Sequence, residues 1–483
     1  MEPKNGGRIV SGMFWRFGEK ITAQFVSFVV SIVLARILMP EDYGIIAIVN
    51  VFITIAEIFV TSGLSTSLIQ KKDATQIDFS TIFWCSLGLA GILYVVVFVG
   101  APIIAKIYNM SLLCSVIRVF SIKLPVAAFN SIQNAYVSRN MDFRKFFFAT
   151  LGGTIVSAIV GITLALKGFG VWALVAQYIT NSIIDTLVLF VMVDWRPTFE
   201  FSVDSAKPLM RYGWKILATD LIGTVFNQLN SFIIGIKYTS ADLAFYVQGK
   251  KIPDLLNNNI GSTLTAVLFP AMSQTDNIDE IKVIRRSSLK MMGYVLFPIM
   301  LGMMAVADNM IIVLLSEKWD FAIPFARIAC LDAMVNIMGT TLIQEIKAIG
   351  RSDITLRMEL IKKPIFLIVI LLAMQINVTA IAWTLPFNSI LAFCFNVVPV
   401  RKYIGFDLKV YLKDAFPSIL MSMIMACLVY MIRFVIGNRM ICLVFQVVMG
   451  TGIYIVLSAL TKNDSFYYLI NLGKRMLRGE REK

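Results

Sequence analysis

The sequence predicts an all-α polytopic membrane protein with about fourteen transmembrane helices, arranged as two pseudo-twofold-related six-helix lobes plus two C-terminal helices. Three observations predict it: the apolar composition, the spacing of long apolar runs, and the placement of the basic residues. Of 483 residues, 58% are hydrophobic and only 15% are charged, with a mean hydropathy of +0.77. Soluble domains average under half apolar and about a quarter charged, so this surplus has no soluble core to fill.

Runs of about 20 apolar residues cross the hydrocarbon core as helices, because lipid leaves backbone polar groups no other partner. Six such runs fall near 14–37, 44–69, 80–105, 111–136, 146–166 and 171–193. A polar stretch, 194–208, separates them from six more near 210–236, 242–272, 291–315, 320–347, 358–375 and 377–399. Two last runs lie near 414–436 and 440–460. The expected organisation is therefore an N-lobe over 1–193, a cytoplasmic linker over 194–208 and a C-lobe over 209–400. Two extra helices over 401–460 and a basic cytoplasmic tail over 461–483 complete it. The first run is expected to remain as a span rather than act as a cleaved signal, since Arg16, Glu19 and Lys20 interrupt its start.

The basic residues test this order independently. With the N-terminus inside, 32 of the 44 lysines and arginines flank the cytoplasmic ends of spans, six flank the outer ends, and six lie deeper. That asymmetry is the positive-inside pattern, so both termini are expected in the cytoplasm. The net charge of +14 then belongs to helix ends facing an anionic leaflet and implies no nucleic-acid partner. No histidine is present, which removes the commonest metal ligand and the usual near-neutral proton relay. The six cysteines are scattered without metal-ligand spacing, and neither a metal site nor a cofactor is expected. No Gly-rich phosphate loop followed by Lys-Ser/Thr occurs, so the chain carries no ATPase of its own. Every expected outside turn is short, which argues against a membrane enzyme such as a sugar polymerase or ligase.

An internal repeat supports the two lobes. Arg16-Phe17-Gly18-Glu19-Lys20-Ile21 recurs as Arg211-Tyr212-Gly213-Trp214-Lys215-Ile216. Ile132-Gln133 and Asp142 are echoed by Ile343-Gln344 and Asp353, and Arg118 by Arg327. The repeat encloses an even number of spans, so both halves share one orientation, with a substrate path expected between them. The first and seventh helices are expected at the lobe interface, where Gly18 and Gly213 are expected to allow close approach or bending.

Several segments carry a resemblance to a known family. They are Leu34-Ala35-Arg36-Ile37-Leu38-Met39-Pro40-Glu41-Asp42-Tyr43-Gly44, the run Gly63 to Asp73, Ser138-Arg139-Asn140-Met141-Asp142-Phe143-Arg144-Lys145, Gly168 to Val175, and Gly350-Arg351-Ser352-Asp353. Over about residues 10–400 the chain resembles the Wzx-like lipid-linked oligosaccharide flippases and polysaccharide exporters of the multidrug/oligosaccharidyl-lipid/polysaccharide exporter superfamily. One departure is Ser316 before Glu317-Lys318-Trp319, where the pattern has glycine. The motifs read as turn and packing signals. The resemblance implies alternating access, a bacterial plasma membrane location, a polyprenyl-diphosphate-linked oligosaccharide as substrate, and membrane lipids and other polysaccharide-assembly proteins as partners.

The chemistry is expected from polar residues inside spans, which are costly in lipid and usually face a cavity or a partner. Polar stripes run along the first span (Arg16, Glu19, Lys20, Ser27, Ser31), the second (Asn50, Thr54, Glu57, Thr61), the seventh (Asp220, Thr224, Asn227, Ser231) and the eighth (Lys250, Asp254, Asn257, Asn258, Thr265). A cationic cavity suits a pyrophosphate, so Arg16, Arg118, Lys250, Lys251 and Arg327, with Asn227 and Asn257, are the substrate-binding candidates. Each has a structural alternative: Arg16 as an interfacial snorkelling residue, Lys250 paired with Asp254, Arg118 and Arg327 as outer-leaflet anchors. Glu57 and Asp220 are the candidates for ion coupling, with helix-packing carboxylates as the alternative. A drug or small-cation antiporter of the same superfamily is the alternative function, and would favour an acidic cavity.

Overall fold

The computed structural model describes residues 6–275, 277–405 and 407–477; the side chains of Arg16 and Phe17 and residues 478–483 of the expected tail lie outside what it describes. Among the described residues there is no strand. The helices are α1 (Gly6–Ile37), α2 (Pro40–Thr61), α3 (Leu64–Gln70), α4 (Gln76–Ile107), α5 (Ser111–Phe120), α6 (Lys123–Asn140), α7 (Arg144–Leu166), α8 (Val171–Met192) and α9 (Val203–Lys237). They continue as α10 (Ser240–Ser273), α11 (Ile278–Leu315), α12 (Ile323–Ala348), α13 (Ser352–Ala373), α14 (Val378–Tyr403), α15 (Leu408–Met431), α16 (Arg439–Leu460) and α17 (Asp464–Leu477).

A helix stands at each of the fourteen expected positions, with α2–α3 and α5–α6 each covering one expected run. Among the described residues, eleven helical stretches are long and apolar enough to cross a membrane. The expected runs that miss that threshold are α9, α10 and α13, and the reason is visible in their residues: Asp220 with Asn227, Gln228 and Asn230, then Lys250, Lys251 and Asp254 with Asn257, Asn258 and Asn259, then Arg357, Glu359, Lys362 and Lys363. Several helices outrun their apolar runs. The α11 helix begins at Ile278, thirteen residues before the apolar stretch, where the Asn277 side chain accepts from the Asp279 N–H at 2.9 Å.

The chain divides into two compact units, Met1–Ala244 and Phe245–Lys483. The first takes in α9, which packs on α2, α3 and α4. The polar stretch from Asp194 onward is strapped along α4 rather than spanning open space. Trp84 donates to the Thr198 carbonyl at 2.8 Å, the Ser202 N–H donates to Thr81 Oγ1 at 3.1 Å, and Trp84 stacks on Phe199. Trp195 is buried beneath it with Phe79, Phe83, Phe146 and Leu209.

The resembling motifs are turn and packing devices. Pro40 occupies the first turn of α2, where its missing N–H costs nothing, and the Asp42 carboxylate accepts from the Met39 N–H at 3.2 Å. A Cβ at Gly44 would run into the backbone carbonyl of Ser240, so α2 reaches the start of α10 only through glycine. Arg139 donates to the carbonyls of Leu68 (3.0 Å), Lys71 and Lys72, closing the C-terminal end of α3 with a cation. Lys71 in turn grips Asp78 at 2.7 Å. Gly350-Arg351-Ser352-Asp353 folds as a turn, with Arg351 donating to Asp353 at 2.9 and 3.1 Å. That guanidinium holds the Asp353 carboxyl below its ordinary range.

Of the two glycines expected at close approaches, one behaves so. Gly213 on α9 lies against the turn at Gly63, where a Cβ would sit 2.8 Å from the Gly63 carbonyl oxygen. Gly18 meets nothing within 4 Å, so no close contact in its unit uses it.

Candidate functional site

The first unit holds a polar cavity of about 390 Å³ between α2, α3, α6 and α8. Its walls carry two carboxylates and one lysine. Glu57 on α2 pairs with Lys123, the first residue of α6, at 2.9 Å, with both side chains about one fifth exposed. Lys123 reaches the cavity because the expected single fourth span breaks at Ser121-Ile122, which starts a new helix there. Asp185 on α8 accepts from Asn130 Nδ2 at 2.7 Å, and the same amide lies 3.2 Å from Thr186 Oγ1. Asn134 donates to Asn130, which extends the network along α6. Asn181 and Ser182 add further polar atoms from α8.

The Asp185 network was legible in the sequence but not picked out. Thr180, Asn181, Ser182 and Asp185 form a polar stripe inside the sixth apolar run, the same signal used for four other spans. Asp220, on α9, is exposed and accepts from Ser62 Oγ at the end of α2.

The second unit gathers polar groups on α10, α12 and α14. Lys250 lies 3.5 Å from Asp254 Oδ2, one turn along α10, and donates to Tyr246 Oη at 3.3 Å while sitting over that ring. Lys251 beside it is exposed, and Asn257 one turn past Asp254 is half-buried. On α12, Asp332 accepts from Ser389 of α14 at 2.6 Å. Asn227, in the first unit on α9, is exposed.

The two arginines expected at equivalent places do equivalent work. Arg118, at the end of α5, donates from Nε to the Phe98 carbonyl of α4 at 3.3 Å and lies over the Phe98 ring. Arg327, on α12, directs Nε at the Met304 carbonyl of α11 at 3.5 Å and pairs with Asp308 at 2.9 Å. Asp308 also receives Arg433 at 2.6 Å, so one carboxylate serves two guanidiniums. Each arginine thus ties its helix to the preceding long helix.

Further charge pairs, not singled out from the sequence, join helices of the second unit. Arg285 on α11 and Glu345 on α12 meet at 3.1 Å and are buried, while Arg286 grips Asp414 of α15 at 2.6 and 3.0 Å with Lys290 at 3.6 Å. An apolar crevice of about 500 Å³ lies between α11, α15 and α16, lined by methionines, aliphatic side chains and Gln446. Among the described residues no group of three metal-ligating side chains comes together.

A multi-pass helical bundle whose charged groups turn inward to one another and to cavities is built as a membrane transporter. Residues 33–324 match the model of the family described as polysaccharide biosynthesis protein, and the chain belongs to that family. It is 25% identical over 416 residues to the lipopolysaccharide biosynthesis protein WzxC of Escherichia coli (strain K12), covering 82% of this chain and 83% of that one. It is 22% identical to the succinoglycan biosynthesis transport protein ExoT of Rhizobium meliloti (strain 1021), covering 97% and 96%. In fold it is similar to the lipid II flippase MurJ in an inward closed conformation, with a TM-score of 0.74 at 15% identity, over 93% of this chain and 99% of that one. Two of these relatives are named for transport or flipping, and none of the three is named as an enzyme.

Proposed function

We propose that this chain carries polyprenyl-diphosphate-linked oligosaccharide repeat units from the inner to the outer leaflet of a bacterial plasma membrane by alternating access. The observation that carries the reading is the family membership, joined to near end-to-end similarity with a transport protein of polysaccharide assembly. In this reading all fourteen helices cross the membrane and both termini are cytoplasmic. The lobes follow the repeat, 1–193 and 209–400, with two extra helices over 401–460. Lys250 and Lys251 with Asn257 meet the pyrophosphate, a dianionic group that lysine serves as a point charge. Arg16 and Asn227 are further candidate substrate contacts, and Arg118 and Arg327 contribute from the helix junctions they brace. Glu57 and Asp220 stand as coupling carboxylates, and we add Asp185, whose amide-lined cavity can hold a proton or a small cation.

The test is complementation of a strain whose own exporter is deleted, scoring surface polysaccharide and the pool of undelivered lipid-linked repeat units. Wild-type chain should restore the first and drain the second. Lys250→Ala/Lys251→Ala should leave the pool full while the protein stays at wild-type abundance. Restored drug efflux with no change in the pool would overturn the reading in favour of the antiporter.

A further inference from the structure

The final helix plays no part in the transport reading. α16 ends at Leu460, and Lys462 then takes the left-handed conformation (φ +49), with the Asn463 N–H bonded to the Ser458 carbonyl at 3.1 Å. That closure ends α16 sharply. The Asn463 side chain accepts from the Ser465 N–H at 3.0 Å, so α17 starts at once. Three residues separate the helices, a reach of at most about 11 Å. The helix α17 is therefore held close to the membrane surface at which α16 emerges.

Its residues divide into two faces at helical spacing. Phe466, Leu469 and Ile470 share one side, and Asp464, Tyr467, Tyr468, Asn471 and Lys474 share the other. The protein covers only part of the apolar side: Ser465 is buried and α17 packs on α11, whereas Ile470 is 36% exposed and the flanking Tyr467 45% exposed. Arg478, Arg481 and Lys483 follow in the sequence. An apolar stripe flanked by tyrosine and lysine, with further basic residues next in the sequence, matches one partner, a headgroup layer carrying negative charge over acyl chains.

We propose that α17 lies in the plane of the membrane, with Phe466 and Ile470 in the interfacial layer of an anionic leaflet and Lys474 on its phosphates. The cytoplasmic side of that leaflet rests on the topology reading above; the docking does not.

The experiment uses the full chain in vesicles, with single fluorophore labels at Ile470→Cys or Asn471→Cys in a cysteine-free background. Lipids bearing a shallow nitroxide quencher should quench the Ile470 label and spare the Asn471 label. Adding phosphatidylglycerol to phosphatidylcholine should raise the Ile470 quenching, and Lys474→Glu/Arg475→Glu should abolish the rise, since each basic residue near such a surface shifts docking about fivefold. Equal, weak quenching at both positions in anionic vesicles overturns the docking. Probing the same labels in intact cells with an impermeant reagent separates the two readings. Labels reached from outside the cell would overturn the cytoplasmic assignment while leaving lipid-quenched docking in place.

Discussion

If Glu57 is fixed by Lys123, removing both should cost less than the sum of removing each alone. The pair lies inside the first unit at 2.9 Å with each side chain about one fifth exposed, so neither ion is fully hydrated. At an effective dielectric of about 20 the gross attraction is roughly 6 kcal/mol, and desolvation of the two ions offsets most of it. A lone lysine or glutamate left in the cavity loses that attraction while keeping its desolvation cost. We expect Lys123→Ala and Glu57→Ala each to cost about 2–4 kcal/mol, and the double variant at least about 1.5 kcal/mol less than their sum. The charge-swapped Glu57→Lys/Lys123→Glu should recover much of the loss. The assay is the thermal midpoint of the detergent-purified protein, read with export in the deletion strain. A Glu57→Gln variant that melts like wild type would refute the locked pair.

Ser316 holds φ +97 and ψ 171, a region suited almost only to glycine and worth about 1–3 kcal/mol of strain for other residues. Ser316→Gly should raise stability by about 0.5–2 kcal/mol after the entropy that glycine adds to the unfolded chain, seen as a higher melting midpoint. Gly213→Ala should cost about 1–3 kcal/mol, because its Cβ meets the Gly63 backbone and not a movable side chain; an unchanged midpoint would show that α9 can back away. Around Asp308, Asp308→Ala should be worse, by about 2–4 kcal/mol, than either Arg327→Ala or Arg433→Ala at about 1 kcal/mol. Removing the carboxylate leaves two guanidiniums facing each other, whereas removing one arginine leaves an intact pair. Equal losses in all three would refute the shared-carboxylate geometry.

The helices were legible because lipid imposes a single rule, about 20 apolar residues per crossing, that reads directly from composition. Where they begin was less so. The extra turns of α9 and α11 lie outside the apolar runs and depend on caps at Ser202 and Asn277. The break at Ser121-Ile122 is announced only by Pro125 in the first turn of α6, and it is what brings Lys123 onto Glu57. Ser316 was flagged as a departure by resemblance alone, and the structure supplies the reason in its backbone angles. Partners of charged residues were the least legible feature. Lys250 and Asp254 are neighbours on one helix and could be paired from spacing, whereas Arg286–Asp414 and Asp308–Arg433 join residues more than a hundred positions apart. No periodicity encodes which helices will be adjacent.

What the two halves repeat bears on where the chemistry lies. Asp42 accepts from the Met39 N–H to start α2, and Asp242 accepts from the Thr239 N–H at 3.1 Å to start α10. Arg118 and Arg327 each reach a carbonyl on the preceding long helix, and Gln133 and Gln344 are both buried. These shared features are caps, braces and packed amides, all of which serve a helix bundle whatever it carries. The polar groups without a counterpart of the same kind are different in character. Asp185 sits in an amide-lined cavity of the first unit, and the adjacent Lys250 and Lys251 sit on α10 of the second. A carrier of an anionic lipid driven by a cation needs one basic and one acidic station. Two identical stations would serve one of those ligands and repel the other. Groups that brace the bundle in both halves are weaker candidates for substrate contact than groups found in one half, so mutagenesis of transport starts with Asp185 and Lys250–Lys251 before the repeated arginines.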